Sequence, residues 1–492
     1  MSDTIPFALA VLLFAAVGLA AVLSHRLTEW LRIPAPALLL VASAVAVKVI
    51  SSLHAPSEKD VERLVTVALL AILFDGGMHI GWKRFSASAK PIAVVGVLGT
   101  FLTVAGGAVL SHYAFGLSWY AATLLATAVA PTDPAVVFSV LGRREIAGRA
   151  GTILEGESGA NDPVGIALMA SLISAGGISG GAALHVLGEF VLQMGVGTVI
   201  GLAGGWLLLA FMRRVPLPSD ALYPLRTLVC VLALYALATL ARGSGFLAVF
   251  VAGILIGDRA APYKREIERF HSALASLAEI VAFVALGLTV DLSVLSRGNV
   301  WVPGLVLGAA LAFVIRPLLV GICLAPARLA ANERGFVLLA GLKGAVPILL
   351  GVTLLSAHIA GATRLYGIVV VVVVFSVVVQ GSGVPVLADR LRLPMRSSEL
   401  EPWTVGVRLR HEPEGVHRLV VAPGSEVVGR GVADLPVEVW VSSVVRDGHL
   451  VRVHEGTRLH EGDEVVVFAD PEHSGRLRKA FEHRAAEGPE IS

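Results

Sequence analysis

From residue 5 to residue 388 the chain is a near-continuous succession of apolar runs about 20 residues long, and this feature excludes most folds. At about 1.5 Å per residue, a helical run of this length matches the roughly 30 Å hydrocarbon core of a bilayer. We read spans near 5–24, 34–53, 61–81, 91–113, 117–140, 152–176, 182–212, 221–241, 244–258, 272–290, 300–325, 334–357 and 364–388, about thirteen in all. Runs this long and this uniformly apolar are helices, which satisfy their backbone amides within the segment. The expected fold is therefore an all-α polytopic membrane protein. Composition agrees, with 55% hydrophobic residues, 15% charged residues and a mean hydropathy of +0.79. A net charge of +2 carries no signature of nucleic-acid binding. Basic residues follow the first apolar run instead of preceding it, so it reads as a retained span and not a signal peptide.

Basic residues alternate between loops. Loops after odd-numbered spans hold Arg26 and Arg32, then Lys83, Arg84 and Lys90, then Arg143, Arg144 and Arg149, Arg213 and Arg214, Arg259, Lys264, Arg265 and Arg269, and finally Arg328 and Arg334. Even-numbered loops hold only Lys59, Arg63, Arg242, Arg297 and Arg364. The positive-inside rule then places the N-terminus outside and the C-terminus in the cytoplasm. Residues 1–390 form the membrane domain, 391–402 a charged linker, and 403–492 a small cytosolic α+β domain. In the last of these, GVHRLVVA, VEVWVSSVV, HLVRVH and DEVVVFA read as strands and SEVVGRGVADL as a short helix. Its seven histidines match no metal motif, and Cys230 and Cys323 lie in apolar runs without ligand spacing.

Ionisable residues inside spans cost about 2.5–3.5 kcal/mol each on insertion scales, so each is a functional candidate. Lys48, Glu189 and Asp291 lie near span ends, where snorkelling accounts for them, and Glu279 is ambiguous. Asp75, Asp133, Glu157, Asp162, Arg316 and Lys343 lie deep, the acids in the first half and the bases in the second. Cross-pairing is expected. Pro131 and Pro134 flank Thr132 and Asp133 and break the fifth span. Lys343 to Pro347 form a comparable weak point in the twelfth. Interrupted spans in both halves point to inverted repeats with broken, crossing helices whose freed ends bind ions. A carboxylate in a low dielectric takes up a proton more readily than one in water. It can then hold either a proton or a hard monovalent cation, which is the core of an antiport mechanism.

The segments ESGAND at 157–162, TDP at 132–134, FDGG at 74–77, IRP at 315–317 and GLKGA at 341–345 resemble the monovalent cation:proton antiporter-1 family. The likeness covers about residues 5–390. It implies a homodimer with thirteen spans in the inner (plasma) membrane. It also implies that Asp162 binds the cation and the proton, with oxygens from Ser158 and Thr132 and help from Asp133. Glu157 would pair with Arg316 and orient Asn161, and Asn161 marks a branch expected to exchange ions electroneutrally. Two departures stand out. Asp75 occupies a position where many members have Glu, and Lys343 one where most have Arg. Residues 424–472 resemble a TrkA-C domain, which implies a dimerising module and a small regulatory ligand such as cyclic di-AMP. K⁺ and Na⁺ both remain open as the cation. No cofactor is expected, and no nucleophile or metal constellation points to an enzyme. The alternatives are a ligand-gated potassium channel or an ion-coupled symporter carrying the same soluble domain. A channel would want a carbonyl filter motif, which the sequence lacks.

Overall fold

The computed structural model describes residues 35–49, 56–141, 144–146, 148–177, 180–297, 299–327, 329–397, 416–436, 439–446, 449–469 and 474–482, together with residue 19. The span expected at 5–24 lies outside the described residues, as do Arg26, Arg32, Arg143, Arg328 and residues 398–415. The chain divides into two compact units, Met1–Glu399 and Leu400–Ser492.

The first unit is helical, as its apolar periodicity requires. In order it contains α1 (Ala35–Val49), α2 (Glu58–Ala93), α3 (Thr100–Phe115), α4 (Trp119–Val129), α5 (Pro134–Leu141), α6 (Arg149–Ala175), α7 (Gly180–Arg214), α8 (Leu222–Leu240), α9 (Gly245–Gly257) and α10 (Lys264–Leu288). There follow α11 (Leu292–Arg297), α12 (Trp301–Ala310), α13 (Gly321–Leu324), α14 (Ala331–Leu339), α15 (Ala345–Ser356), α16 (Ala362–Phe375) and α17 (Gly381–Arg390). Wide π-type turns at Val94–Gly99, Leu311–Val320 and Ser376–Gln380 carry α2 into α3, α12 into α13 and α16 into α17. Among the described residues six helical stretches are long and apolar enough to cross a membrane. Trp119–Val129 and Ala345–Ser356 fall short of that length because each is half of a broken span.

Two sequence expectations change here, at residues 82–90 and in the linker. Residues 82–90, read as a loop, are helical, and the turn is instead at Gly81, whose φ of 65° falls in the left-handed region. Asp258 fills the notch beside this glycine and accepts the Lys83 amide. The run at 182–212 is a single helix of 35 residues, Gly180–Arg214. Part of the expected linker is strand: β1 (Arg144–Ile146) pairs antiparallel with β2 (Met395–Ser397), Arg144 opposite Ser397 and Ile146 opposite Met395.

The second unit is a four-stranded antiparallel sheet of order β3-β6-β4-β5, built from β3 (Val416–Val420), β4 (Val439–Arg446), β5 (His449–Val451) and β6 (Glu464–Ala469). Its core, with Val441, Val444, Val465 and Val467, includes Leu477 and Phe481 of α18 (Ser474–Phe481). The short helix expected within SEVVGRGVADL is absent. Gly429 has φ 76°, the amides of Gly429 and Val432 bond to the carbonyls of Leu459 and Thr457, and only a 3-10 turn forms at Val432–Asp434. Asp463, fully buried, receives Arg446 Nε and Nη2 at 2.8 Å each and the His460 amide at 2.8 Å.

Candidate ion-binding site

The site is built where two interrupted spans meet. The first breaks between α4 and α5, because Pro134 cannot continue the hydrogen-bond ladder. The second breaks between α14 and α15, across Ala340 to Gly344. The breaks bond directly to each other: the Asp133 amide donates to the Leu342 carbonyl at 2.8 Å. Gly344 at the start of α15 permits this approach, since a methyl there would run into the Asp133 carboxylate.

Each half-helix end carries a partial charge, positive at N-termini and negative at C-termini. Lys343 Nζ donates to the Ala130 carbonyl at 2.8 Å, at the negative end of α4. Arg316 Nε donates to Leu338 O at 3.0 Å and Nη2 to Val337 O at 3.1 Å, at the negative end of α14. Gln380 Nε2 donates to Leu339 O at 2.7 Å at that same end. Asp133 immediately precedes α5 and lies against the start of α15, beside two positive ends. The side chains thus compensate the dipoles that the breaks expose.

Helix α6 brings the remaining groups to the crossing. Glu157, Ser158, Asn161 and Asp162 share one face at helical spacing, and all four are buried. Glu157 takes Arg316 Nη1 at 2.5 Å and Nη2 at 2.9 Å, a bidentate pair deep in the unit. Asn161 Nδ2 donates to Thr132 Oγ1 at 2.8 Å and Oδ1 accepts the Thr132 amide at 3.4 Å, which fixes α6 to the first break. Pro131 packs on Gly165 of α6, where any side chain would push the break away. Pro163 follows Asp162 and has no N–H, so the carbonyl four residues earlier loses its usual helical donor. The Asp162 carboxylate makes no hydrogen bond or ion pair among the described residues. It feels the like charge of Asp133 and the opposite charge of Lys343.

The profile of the sodium/hydrogen exchanger transmembrane family matches residues 11–390. The chain belongs to this family. The TrkA-C domain profile matches residues 416–482. The K(+)/H(+) antiporter NhaP of Alkalimonas amylolytica is 32% identical over 411 residues, covering 82% of this chain and 71% of its own length. The K(+)/H(+) antiporter NhaP2 of Shewanella oneidensis is 30% identical over 86% of this chain and 74% of its own. Among solved structures, the sodium proton antiporter MjNhaP1 of Methanocaldococcus jannaschii superposes with a TM-score of 0.64 at 23% identity, covering 78% of this chain and 99% of that one. The fold is therefore that of a multi-pass membrane antiporter family, with the broken helices expected from the prolines.

Other residues singled out in the sequence make the following contacts. Asp75 on α2 accepts Ser272 Oγ of α10 at 2.9 Å and lies 3.4 Å from His79 Nδ1, so its contacts join α2 to α10. Glu157 was expected to orient Asn161, but both its oxygens engage Arg316, and Thr132 holds Asn161 instead. Glu155 lies 3.4 Å from Arg84 Nη2. Sequence reasoning missed Ser376 and Gln380. Ser376 Oγ accepts the Lys343 amide at 3.0 Å and donates to Gln380 Oε1 at 2.9 Å. Their signal was present: two polar residues four apart in an otherwise unbroken valine-rich run.

Proposed function

We propose that this protein is a secondary antiporter exchanging K⁺ or Na⁺ for H⁺, one for one, at the carboxylate of Asp162. One observation carries the reading: a buried carboxylate without hydrogen-bond or ion-pair partner among the described residues stands beside two compensated helix breaks. An ionised carboxylate so placed is costly unless a proton or a cation joins it. Thr132 and Ser158 supply neutral oxygens, and Asp133 supplies negative charge. Asn161, Glu157, Arg316 and Lys343 hold the geometry. Asp75, which accepts from Ser272 and lies beside His79, is proposed as a further acidic ligand for the cation. Proton and cation compete for Asp162, and alternate exposure of the loaded site to the two sides gives exchange.

We assign K⁺ as the first cation to test, because relatives 32% and 30% identical to this chain are named K(+)/H(+) antiporters. Residues 1–390 are assigned to transport, 391–402 to a connection and 403–492 to regulation. An orientation in the plasma membrane with N-terminus outside and C-terminus cytoplasmic agrees with the charge alternation of the loops, and a homodimer is the assembly that the family resemblance implies. The TrkA-C match supports a small cytosolic ligand, for which cyclic di-AMP is the first probe.

The test is proton movement in inside-out vesicles carrying a preset pH gradient, with K⁺ or Na⁺ added in turn and with or without cyclic di-AMP. Collapse of the gradient by one cation, absent in Asp162→Asn, is the expected result. No collapse by either cation under any of these conditions refutes antiport.

A further inference from the structure

One acid that the crossing does not use, Glu279, has a buried oxygen. Glu279 lies on α10, whose neighbours α1, α2, α8 and α15 enclose Ala275, Ala278, Ala282 and Phe283. Its Oε1 is buried with no hydrogen-bond partner among the described residues, while the residue as a whole is only partly buried. One oxygen is therefore withdrawn from solvent although the residue keeps some exposed surface. A carboxylate oxygen kept this way calls for an occupant, because an unpaired charge in a protein interior is costly. Leucine or alanine would pack the same helix face at no such cost.

Two further observations indicate which occupant. Asp133 is the charge that acts on Glu279, and α10 packs on α15, the half-helix that begins beside Asp133. At the C-terminal end of α10, a cavity of about 170 Å³ is lined by Glu58, Asp291, Thr289, Thr363 and Tyr366 among others. Glu279 lies nine residues before Leu288, the last residue of α10, or about 14 Å of helix from that end. An acidic and hydroxyl-lined mouth, then a single buried acid, then the site acids, form a graded series of oxygen ligands.

We propose that Glu279 is a cation-staging residue. It receives a monovalent cation entering from the face at the C-terminal end of α10 and passes it toward Asp133 and Asp162. This rests on the antiport reading. Glu279 holds the cation through an oxygen left free for it, and Glu279→Gln keeps the shape but removes the attracting charge.

Right-side-out and inside-out vesicles present the two faces separately. With K⁺ supplied at the face bearing the C-terminal end of α10, Glu279→Gln raises the half-saturating K⁺ concentration roughly tenfold, with the maximal rate within about twofold of wild type. With K⁺ supplied at the opposite face, half-saturation stays at the wild-type value. Unchanged half-saturation at both faces overturns the proposal. So does equal loss of maximal rate at both faces, which would put Glu279 in the exchange step itself. A second measurement needs no variant: a membrane-permeant carbodiimide labels Glu279 in the intact protein, located by mass spectrometry, and K⁺ slows the labelling. Labelling that K⁺ leaves unchanged also overturns the proposal. Wild-type exchange in the same vesicles reports separately on antiport.

Discussion

The Glu157–Arg316 pair allows a quantitative prediction. Glu157→Ala leaves the Arg316 guanidinium, in a residue only 5% exposed, with the carbonyls of Val337 and Leu338 as its remaining acceptors. Breaking a buried pair by removing one partner costs about 3–5 kcal/mol, because the other charge is stranded. Arg316→Ala strands Glu157, 2% exposed, and also uncovers two carbonyls at the end of α14. It should cost about 1–2 kcal/mol more than Glu157→Ala. Removing both side chains strands no charge, so the double variant should lose much less than the sum of the singles. The assay is thermal stability of the detergent-solubilised protein, followed by size-exclusion chromatography after heating. At about 2 °C per kcal/mol, Glu157→Ala should lower Tm by about 6–10 °C. If the double variant lost the full sum, the two groups would be acting independently and the pairing argument would be refuted.

Three other outcomes follow from the geometry. Gly344→Ala places a methyl against the Asp133 carboxylate, so the two breaks must separate; exchange should drop at least about tenfold with folded yield retained, read in the vesicle assay. Asn161→Asp removes the donor that holds Thr132 Oγ1 and adds a second acid, so exchange should slow and become sensitive to an imposed membrane potential, measured with a potassium–valinomycin clamp. In the soluble unit, burial pushes Asp463 up, but the Arg446 bonds, the His460 amide and the nearby charges outweigh it and leave it below the usual carboxylate range. A depressed folded value means that its contribution is complete at neutral pH and is lost as pH falls below about 4, through the folded value. Asp463→Asn should flatten that acid limb, read by limited proteolysis of the tail in the full chain across pH.

Much of the fold and part of the site could be read from the residues alone. Hydrophobic runs locate the spans because bilayer thickness fixes their length, and Pro131 and Pro134 announce a break because proline lacks an N–H. The cost of unpaired charge in hydrocarbon called for acids to pair with bases, and the family resemblance named Glu157 and Arg316 as one such pair. What stayed hidden depends on contacts between distant segments. The acceptor for Lys343 is a backbone carbonyl, that of Ala130, which no side-chain pattern reports. Asp75 is satisfied by Ser272, 197 residues away. The β1–β2 ladder is three residues per strand, too short for any periodicity. SEVVGRGVADL looked helical until its amides found partners across the chain at Thr457 and Leu459.

The charges at the crossing also bear on coupling. With every group in its ordinary ionised form, Glu157 cancels Arg316, and Asp133, Asp162 and Lys343 together leave one negative charge at the crossing. A bound proton neutralises it, and so does a bound monovalent cation. On this reading the two loaded forms carry the same net charge, and a membrane potential favours neither, which is the condition for electroneutral exchange. The empty form is different. It must carry a bare carboxylate through a low-dielectric region, at about 2.5–3.5 kcal/mol on insertion scales. That penalty holds the empty carrier back by roughly two orders of magnitude. Exchange then outruns leak for an electrostatic reason, with no separate gate required. Asn161, which is neutral and occupied with Thr132, keeps the uncompensated charge at one.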